Sequence, residues 1–275
     1  MEAGASPVAP AGAASLEEGT QATVQRPKRS GRTSTFVEYA ESFLVTVLLA
    51  LFGTTFVVQA FKIPSQSMEP ALLVGDHLLV NKFLFGGQGA WYEKFLPYRP
   101  VRRGDIIVFK FPYDDHPHYV KRVIGLPGDR VRILNDHVFV NGTELIEPYV
   151  LHDPFARDFF GDNFPPSSRY FHDANLRPEW SVRIMDYVDR GQLVVPPHRY
   201  FVMGDNRDRS WDSRYWGFVD QAAIMGRPIL IYWSVEATSS DYSNRGLGGQ
   251  LRGIVETLLH LPSRTRWRRM MHEVH

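Results

Sequence analysis

The sequence predicts a mainly β protein with one N-terminal membrane-spanning helix. An uncharged apolar run of 19 residues extends from Phe43 to Phe61. After Leu72, short apolar or alternating segments are separated by turn residues, which is the pattern of strands and turns. Aromatic residues make up 13% of the chain and there are 19 prolines. This composition favours strands and turns over a helical bundle.

The first 37 residues have the composition of a disordered tail. Residues 1–37 are rich in Ala, Gly, Ser, Thr and Pro, so they cannot bury enough apolar surface to offset the entropy lost on folding. Over the whole chain the formal net charge is +1, which gives no reason to expect a nucleic-acid partner. The sequence contains no cysteine, which excludes disulfides, cysteine catalysis and thiolate metal sites.

The apolar run at residues 43–61 has the length of a membrane anchor. As a helix it would extend about 28 Å, close to the thickness of the hydrocarbon layer. A basic cluster at residues 26–32 precedes it, so the positive-inside rule predicts a cytoplasmic N-terminus and an extracytoplasmic location after Lys62. A buried core helix is one alternative, and a signal peptide cleaved at residues 58–60 is another. We expect a retained single-pass anchor over residues 38–62.

Beyond the anchor, the sequence predicts a β domain that carries an insertion. Segments 78–80, 106–109 and 119–124 are short and apolar or alternating. Residues 138–145 are predicted to form a hairpin, because an Asn-Gly pair within them supplies the positive φ angles of a type I′ turn. Residues 148–197 are polar and repeatedly interrupted by proline, and we interpret them as an insertion whose fold the pattern does not define.

The segment that follows the anchor contains the first candidate reactive groups. Between Ile63 and Pro70, two serines, Ser65 and Ser67, lie two positions apart and are flanked by prolines. In such a rigid loop one hydroxyl can attack while the other, with a backbone N–H, stabilises an oxyanion. Ser67 lies six residues beyond the predicted span. Serine-rich loops beside prolines are also ordinary surface features, so this segment alone does not identify an enzyme.

A lysine in a strand-like segment is the second candidate. Lys121 lies inside a strand-like run, within the segment 119–129, that contains the apolar residues Val120, Val123 and Ile124. Burial would disfavour its charged form and lower its pKa from the usual value of about 10.4, and a neutral amine can take a proton from a serine. Strand alternation places Arg122 on the opposite face, so we expect Arg122 to point outward if Lys121 points inward. A strand lysine with its amine in solvent is the ordinary alternative.

The third candidate is the run of charged and polar residues from Gly204 to Gly217. Ordering so many polar side chains costs free energy unless they satisfy one another. The pairs that we expect are Asp212 with Arg214, and Asp208 with either Arg207 or Arg209. Ser210 is a candidate to hydrogen-bond and orient the lysine amine. A solvated loop is the alternative for this segment.

Three other features are weighed against ordinary explanations. Residues 114–118 contain Asp and His, but the tight spacing favours an exposed turn, and we expect no metal. His77 follows a Gly-Asp turn, and no histidine lies in a motif beside a serine, so a histidine-based triad is not favoured. The basic residues 264–269 around Trp267 are either a solvated end of the chain or a contact for anionic lipid headgroups.

Taken together and in this order, the segments resemble the type I signal peptidases of bacteria. After the apolar anchor, the matching blocks are PSQSMEPALLVGDHLLVNK, RRGDIIVFKFP, YVKRVIGLPGD and GDNRDRSWDSRYWGFV. They extend over residues 64–219, with an unmatched stretch between 129 and 204. Each block alone has limited specificity, whereas four blocks in family order after a membrane span are specific. Ala71, where the family usually has Thr, and Arg209, where Asn is usual, are mild departures.

The resemblance implies a fold, a reaction and a location. The fold would be a mostly antiparallel β serine peptidase domain over residues 63–275, which adds a substrate strand to an open cleft edge. The reaction would be the removal of signal peptides from exported preproteins, after small residues at positions −1 and −3, by a Ser-Lys dyad without metal or organic cofactor. The location would be the bacterial inner membrane, with the catalytic domain on the periplasmic side and the lipid bilayer as a second partner.

The resemblance also implies roles for individual residues. These are Ser67 as nucleophile, Lys121 as general base, the Ser65 hydroxyl and Ser67 N–H as oxyanion hole, Ser210 as the group that orients Lys121, Asp212 and Arg214 as a structural pair, and Met68 as a residue of the cleft. Two other functions compete with this one: a self-cleaving repressor and a non-enzymatic membrane-tethered β module. A repressor would need a helical DNA-binding module at the N-terminus, and a binding module would not need both Ser67 and Lys121.

Overall fold

The computed structural model describes most of the chain beyond its N-terminal tail. The described residues are 35–54, 58–82, 99–113, 118–153, 155, 160, 163–167, 175–236 and 263–274. Most of the predicted disordered tail, residues 1–34, therefore lies outside the described residues. Residues 35–37, which were expected to belong to that tail, are the first residues of a helix.

Within the described residues, one helix is long and apolar enough to cross a membrane. Helix α1 extends over Thr35–Phe52, has a mean hydropathy of 1.6 and contains no buried residue. Helix α1 differs from the expected anchor at residues 38–62 at both ends, because it begins at Thr35 and residues Val58–Lys62 form a strand. The apolar run continues from the helix into this strand, and uncharged apolar residues suit both structures. This strand lies between the helix and Ser67 in the sequence, so the segment that carries Ser67 does not directly follow the helix.

The rest of the described chain is mainly β, as predicted, and every pairing between its strands is antiparallel. The strands are β1 Val58–Lys62, β2 Asp76–Asn81, β3 Ile106–Lys110, β4 His118–Gly125, β5 Arg130–Leu134, β6 His137–Val140, β7 Thr143–Glu144, β8 Asn163–Phe164, β9 Val188–Asp189, β10 Gln192–Val194, β11 Arg199–Met203, β12 Val219–Asp220, β13 Ile224–Ser234 and β14 His272–Glu273. Two short helices accompany them, α2 Pro178–Arg183 and α3 Ser213–Trp216.

The larger of the two sheets carries both candidate reactive residues. Its strand order is β1-β2-β13-β3-β4-β11-β12, and β14 also pairs with β13. Strand β4, which contains Lys121, pairs with β3 along His118–Arg122 and with β11 from Arg122 onward. The Ser67 segment connects β1 to β2, two strands that pair with each other from Val58↔Asn81 to Lys62↔His77.

The second sheet forms the extension of the domain and begins earlier than the sequence suggested. Its order is β7-β6-β5-β10-β9, with β8 also paired to β5. The predicted hairpin is confirmed: Val140 pairs with Thr143, and Asn141 and Gly142 have φ angles of 54° and 80°. From the predicted insertion at 148–197, strand β10 pairs with β5 at Arg130 and Val131, and β9 pairs with β10. The structural extension therefore begins at β5, because the hairpin belongs to it.

Two hydrophobic cores support these sheets. The larger core combines side chains from both sheets, for example Val123 and Phe201 from the first and Val131 and Ile133 from the second. The smaller core lies within the first sheet and the segment that carries Ser67. Its members are Ile63, Met68, Leu72, Leu78, Val80, Ile106, Val108, Ile231 and Val274. The smaller core therefore holds Met68, the residue after Ser67, in a packed environment.

The C-terminal segment 263–274 is attached to the larger sheet. Strand β14 pairs with β13, and Val274 is buried in the smaller core. Arg269 donates to Asp76 Oδ2 at 2.7 Å and to the Ala71 carbonyl at 2.9 Å, and Arg266 donates to the Val74 carbonyl at 3.0 Å. The expectation of a solvated basic end is therefore wrong for these two arginines, which bind the domain itself.

Candidate active site

Ser67 lies in a single 3-10 turn, Gln66–Met68, that is anchored on both sides. Before the turn, Ile63 exchanges backbone hydrogen bonds with Gly75 and Asp76 at 3.0 and 2.9 Å. After it, the Leu72 N–H donates to the Met68 carbonyl at 2.9 Å. The Met68 side chain is 1% exposed and packs in the smaller core beneath the turn. These contacts hold the backbone of Ser67 in a fixed position.

Lys121 meets Ser67 in a buried setting. Its Nζ donates to Ser67 Oγ at 2.5 Å, although the two residues are 54 positions apart. Lys121 is 2% exposed and Ser67 is 7% exposed. Burial lowers the pKa of Lys121 to about 8, against the opposing effect of the Asp212 and Asp205 carboxylates. A substantial fraction of the amine is therefore neutral near pH 8 and able to accept a proton.

A second hydroxyl lies beside the first. Ser65 Oγ is 3.4 Å from Ser67 Oγ, and Ser65 is exposed. The structure thus brings together three of the residues singled out from the sequence: Ser65, Ser67 and Lys121. A nucleophile, a base and a hydrogen-bond donor at such short distances are the components of nucleophilic acyl transfer.

The loop after β11 is organised around one buried carboxylate. Asp212 accepts from Arg214 Nε at 2.8 Å, from the Gly204 N–H at 3.0 Å and from the Ser210 hydroxyl at 2.8 Å. The expected pair of Asp212 with Arg214 is present, and neither residue is more than 1% exposed. The partner of the Ser210 hydroxyl differs from the one that we expected, because the hydroxyl donates to Asp212 instead of bonding to the Lys121 amine. Burial would raise the pKa of Asp212, but the charge of Arg214 and the hydrogen bonds from Arg214, the Gly204 N–H and the Ser210 hydroxyl lower it.

This loop packs directly against the turn that carries Ser67. The Asn206 N–H donates to the Ser67 carbonyl at 3.2 Å. A Cβ atom added at Gly204 would overlap with both the Ser67 carbonyl oxygen and the Ser210 hydroxyl. Only glycine therefore permits this approach of the two segments.

The opposite face of β4 is also covered, contrary to the sequence expectation for Arg122. Arg122 is 4% exposed and forms two hydrogen bonds to Asp205, at 2.8 and 2.7 Å. Its guanidinium group also lies 3.9 Å from the centre of the Tyr149 ring. Strand alternation correctly placed Arg122 opposite Lys121, but residues from the loop and the extension bury that face. Burial raises the pKa of Asp205, and the contact with Arg122 acts in the other direction.

The charged residues at 207–209 have partners that the sequence did not suggest. Arg207 pairs with Glu147 at 2.6 Å, and Arg209 pairs with Asp153 at 2.6 Å. Asp208 accepts from the Asp153 N–H at 2.7 Å. The predicted pairing of Asp208 with a neighbouring arginine is therefore wrong. Glu147 and Asp153 lie more than 50 positions away in the chain, where no local pattern points to them.

The remaining candidates lie apart from Ser67 or outside the described residues. The His77 ring stacks on Trp233, with ring centres 4.9 Å apart, and burial lowers its pKa. Residues 114–117, weighed as a metal site, lie outside the described residues. Over the described part of the chain, no three His, Asp or Glu side chains are grouped as metal ligands would be.

A buried serine and lysine in hydrogen-bond contact on an antiparallel β scaffold have the geometry of a serine peptidase. Comparison with known proteins agrees with this class. The family model described as signal peptidase, peptidase S26, matches residues 36–233. The chain belongs to this signal peptidase family, and it is a serine endopeptidase that removes signal peptides.

Similar proteins carry the corresponding names. Signal peptidase I of Pseudomonas fluorescens is 36% identical over 214 residues, and the match covers 72% of each chain. Signal peptidase I of Pseudomonas aeruginosa is 36% identical over 210 residues, with the same coverage. A probable signal peptidase I-2 of Synechocystis is 33% identical over 216 residues. A crystal structure of a signal peptidase I from Enterococcus faecalis is 33% identical, covers 47% of this chain and 97% of its own, and gives a TM-score of 0.31.

Proposed function

We propose that this protein is a membrane-bound serine endopeptidase that cleaves signal peptides from exported preproteins with a Ser67–Lys121 dyad. The observation that carries the proposal is the 2.5 Å contact between Lys121 Nζ and Ser67 Oγ, two atoms of almost fully buried residues. A buried lysine without a carboxylate in contact is an unfavourable structural element, whereas a neutral lysine amine beside a serine hydroxyl is a functional one.

In the acylation step, neutral Lys121 takes the proton of Ser67 as Oγ attacks the scissile carbonyl carbon. The carbonyl oxygen becomes an oxyanion, which the exposed Ser65 hydroxyl and the Ser67 N–H stabilise. The Lys121 ammonium group then donates its proton to the leaving amine as the tetrahedral intermediate collapses to an acyl-enzyme. In deacylation, Lys121 accepts a proton from the attacking water, and Ser67 Oγ is released as a hydroxyl group.

The buried carboxylates near the dyad support the proton transfers. Desolvation favours neutral Lys121, while Asp212 and Asp205 favour the ammonium form. The opposing effects leave the pKa at about 8, close to the range in which a base can both take and return a proton. Arg214 pairs with Asp212 and acts on Lys121 in the opposite direction, which offsets part of the effect of that carboxylate.

The substrate would bind as an extended strand in the cleft beside β4. Strand β11 pairs with β4 only from Arg122 onward, which leaves an edge next to His118–Lys121. The Phe61 ring of β1 lies 5.3 Å from the His118 ring, so the edges of β1 and β4 are close. In a strand, positions −1 and −3 face the same side. Ile63 and Met68 fill the core beneath the segment that carries Ser67, so we expect only shallow subsites, which suit small residues, above them.

Helix α1 would provide the membrane anchor of this enzyme. Its length and hydropathy suit a bilayer, and the basic cluster at residues 26–32 favours a cytoplasmic N-terminus. On this proposal the residues before α1 are cytoplasmic and the peptidase domain, residues 63–275 with its extension, lies on the periplasmic side of a bacterial inner membrane. Anchoring enzyme and preprotein in one plane raises their effective concentration.

Cleavage of a preprotein with an Ala-x-Ala site by the detergent-solubilised protein tests the proposal. Wild type should cleave after the −1 alanine, and both Ser67→Ala and Lys121→Ala should abolish cleavage while unfolding at the wild-type temperature. Lys110→Ala, at an exposed lysine on the neighbouring strand β3, is the matched control and should remain active. Cleavage that survives Ser67→Ala would refute the nucleophile, and folded wild type without activity would favour a non-enzymatic membrane-tethered module.

A further inference from the structure

Residues 147–153 of the extension, called the bridging segment below, run along the loop 204–210 that packs against Ser67. Leu151 forms a parallel β-bridge with Asn206. The Leu151 N–H donates to the Asp205 carbonyl at 2.8 Å, and the Leu151 carbonyl accepts from the Arg207 N–H at 3.0 Å. These two hydrogen bonds join the loop to the extension in the way that neighbouring parallel strands are joined. The mechanism described above assigns no role to this contact.

A buried ion pair connects the first residue of the bridging segment to the same loop. Glu147 Oε1 accepts from Arg207 Nη2 at 2.6 Å, and the two side chains are 8% and 4% exposed. The Tyr149 hydroxyl also donates to Glu147 Oε1, at 2.9 Å. A buried charge without its partner is strongly destabilising, so the loop is restricted to positions in which Arg207 and Glu147 meet.

Arg207 connects this ion pair to the residue that lies against Ser67. Its Nε donates to the Gly204 carbonyl at 3.2 Å, and its own carbonyl accepts from Arg214 Nη2 at 2.7 Å. Gly204 approaches the Ser67 carbonyl so closely that a Cβ atom has no space there. A continuous series of contacts therefore joins Glu147 to Ser67 through the Arg207 side chain and the Gly204 backbone.

The distance between the two reacting groups depends on where this loop lies. The loop contacts the Ser67 carbonyl at two points, through Gly204 and through the Asn206 N–H. Lys121 is held independently by its strand, where it lies opposite Ile107 of β3. A displacement of the loop would therefore move Ser67 relative to Lys121 and disturb the 2.5 Å contact of the dyad. Small misplacements of reacting groups slow catalysis strongly.

We propose that Glu147 is a positioning residue for the cleavage reaction, which holds the loop 204–210 against Ser67 through Arg207. This role rests on the proposed function, because the groups that it aligns are those of the proposed dyad. The extension thereby contributes to the alignment of Ser67 with Lys121. At the other end of the bridging segment, the Arg209–Asp153 pair is more exposed, and solvent screening makes it the weaker of the two contacts.

Steady-state cleavage of the Ala-x-Ala preprotein by full-length, detergent-solubilised variants tests this role. Glu147→Ala should lower kcat about tenfold per folded molecule and leave KM within about twofold, because misalignment slows the chemical step while the cleft beside β4 stays intact. Glu147→Gln keeps an oxygen that can accept from Arg207 and should retain about a third or more of the wild-type kcat. Asp189→Ala, which removes an exposed ion pair with Arg130 in the same extension, is the matched control and should keep the wild-type kcat.

A double-mutant cycle with Gly204 tests the route by which Glu147 acts. Gly204→Ala pushes the loop away from Ser67 directly, so the contact that Glu147 supports is already lost in that variant. Glu147→Ala/Gly204→Ala should therefore lose about a hundredfold in kcat, close to the loss in Gly204→Ala alone. Two independent effects would multiply to about a thousandfold, and a purely structural role of Glu147 would leave kcat per folded molecule unchanged.

The possible results separate failure of this role from failure of the proposed function. Wild-type kcat in Glu147→Ala, an equal loss in Glu147→Gln, or multiplicative losses in the cycle would refute Glu147 as a positioning residue while the dyad stands. If Glu147→Ala does not fold, Glu147→Met/Arg207→Met, which leaves no unpaired charge, should show a loss of about tenfold or more, and wild-type kcat in it would refute the role. If folded wild type cleaves no preprotein, the proposed function fails, and this role fails with it.

Discussion

The two faces of strand β4 bury one cation each, with opposite consequences. Lys121 is 2% exposed and contacts a serine hydroxyl, whereas Arg122 is 4% exposed and contacts a carboxylate through two hydrogen bonds. Burial lowers the pKa of Lys121 to about 8, while Arg122 stays charged beside Asp205. Burial alone thus does not make a cation reactive. An arginine keeps its charge on burial because its pKa is intrinsically high and a carboxylate contacts it, whereas a buried lysine without a carboxylate in contact becomes an amine that can exchange a proton.

The largest effect is expected where the reactive cation is removed. Lys121→Met replaces the amine with an apolar side chain of similar length. Cleavage should slow by about four orders of magnitude or more, because in the proposed mechanism Lys121 accepts the Ser67 proton. The melting temperature should not fall, since a buried amine that is hard to hydrate is replaced by a methionine that needs no hydration. Single-turnover cleavage and thermal unfolding provide the two measurements, and retention of 1% of the activity would contradict the role of Lys121.

Substitution of Arg122 by methionine should affect the stability of the protein instead of the rate of cleavage. Arg122→Met leaves Asp205 buried without its partner, which should lower the free energy of unfolding by about 3–5 kcal/mol. Urea denaturation measures this change. The double variant Arg122→Met/Asp205→Asn removes both charges and should recover part of the loss. If the single variant loses less than about 1 kcal/mol, the ion pair is not the structural element that distinguishes this face.

On the Ser67 face, Gly204→Ala should disturb geometry without removing a reactive group. The added methyl group overlaps with the Ser67 carbonyl and the Ser210 hydroxyl, so the loop and the nucleophile turn must move apart. We expect about a hundredfold loss of kcat, since a shift of about 1 Å at a catalytic group has this effect. Gly226→Ala is the matched control, because its methyl group would overlap with the Asn81 carbonyl, away from Ser67. Equal losses of activity per folded molecule in both variants would contradict the positional argument.

The pH dependence of kcat/KM shows whether charges on the Arg122 face of β4 influence Lys121 on the other face. Lys121 acts as a base only when neutral, so kcat/KM should rise tenfold per pH unit below about 8 and level off above it. The Asp205 carboxylate raises the pKa of Lys121. Asp205→Asn should therefore move the rising limb to lower pH, although Asp205 contacts Arg122 and not Lys121. A limb that stays in place in this variant would show that the faces are electrostatically independent.

The smallest effect is expected for an arginine in a more exposed ion pair. The Arg209 side chain is 49% exposed where it pairs with Asp153, so solvent screens this interaction. Arg209→Asn, which introduces the residue usual in the family, should change kcat/KM for a standard preprotein by less than about twofold. A tenfold change would show that Arg209 contributes more to kcat/KM than a surface ion pair does, as the buried charged residues are expected to.

Local features of this protein could be predicted from its sequence. The turn at Asn141-Gly142 follows from the backbone preferences of two adjacent residues. The pair of Asp212 with Arg214 joins residues two positions apart. Each of these predictions depends on a few consecutive residues, for which sequence pattern and structure are closely related.

Features that depend on distant segments could not be predicted. Strand alternation correctly placed Arg122 on the face opposite Lys121. The burial of that face could not be predicted, because it is covered by Tyr149 and Asp205, which are distant in the sequence. The partner of Arg207 is Glu147, 60 positions away. The end of α1 was misplaced because the apolar run continues into β1, where the sequence shows no change of composition. Long-range packing decided each of these cases.

The attachment of the C-terminal segment has a consequence for the order in which the enzyme becomes complete. Arg269 binds the Ala71 carbonyl across 198 positions of sequence, and Val274 fills the core beneath Met68. Synthesis proceeds from the N-terminus, so a growing chain contains the serine loop long before it contains the residues that support it. Contacts between such distant residues form late in folding. The support for Ser67 is thus complete only when residues 263–274 have been made, and shorter nascent chains lack part of it.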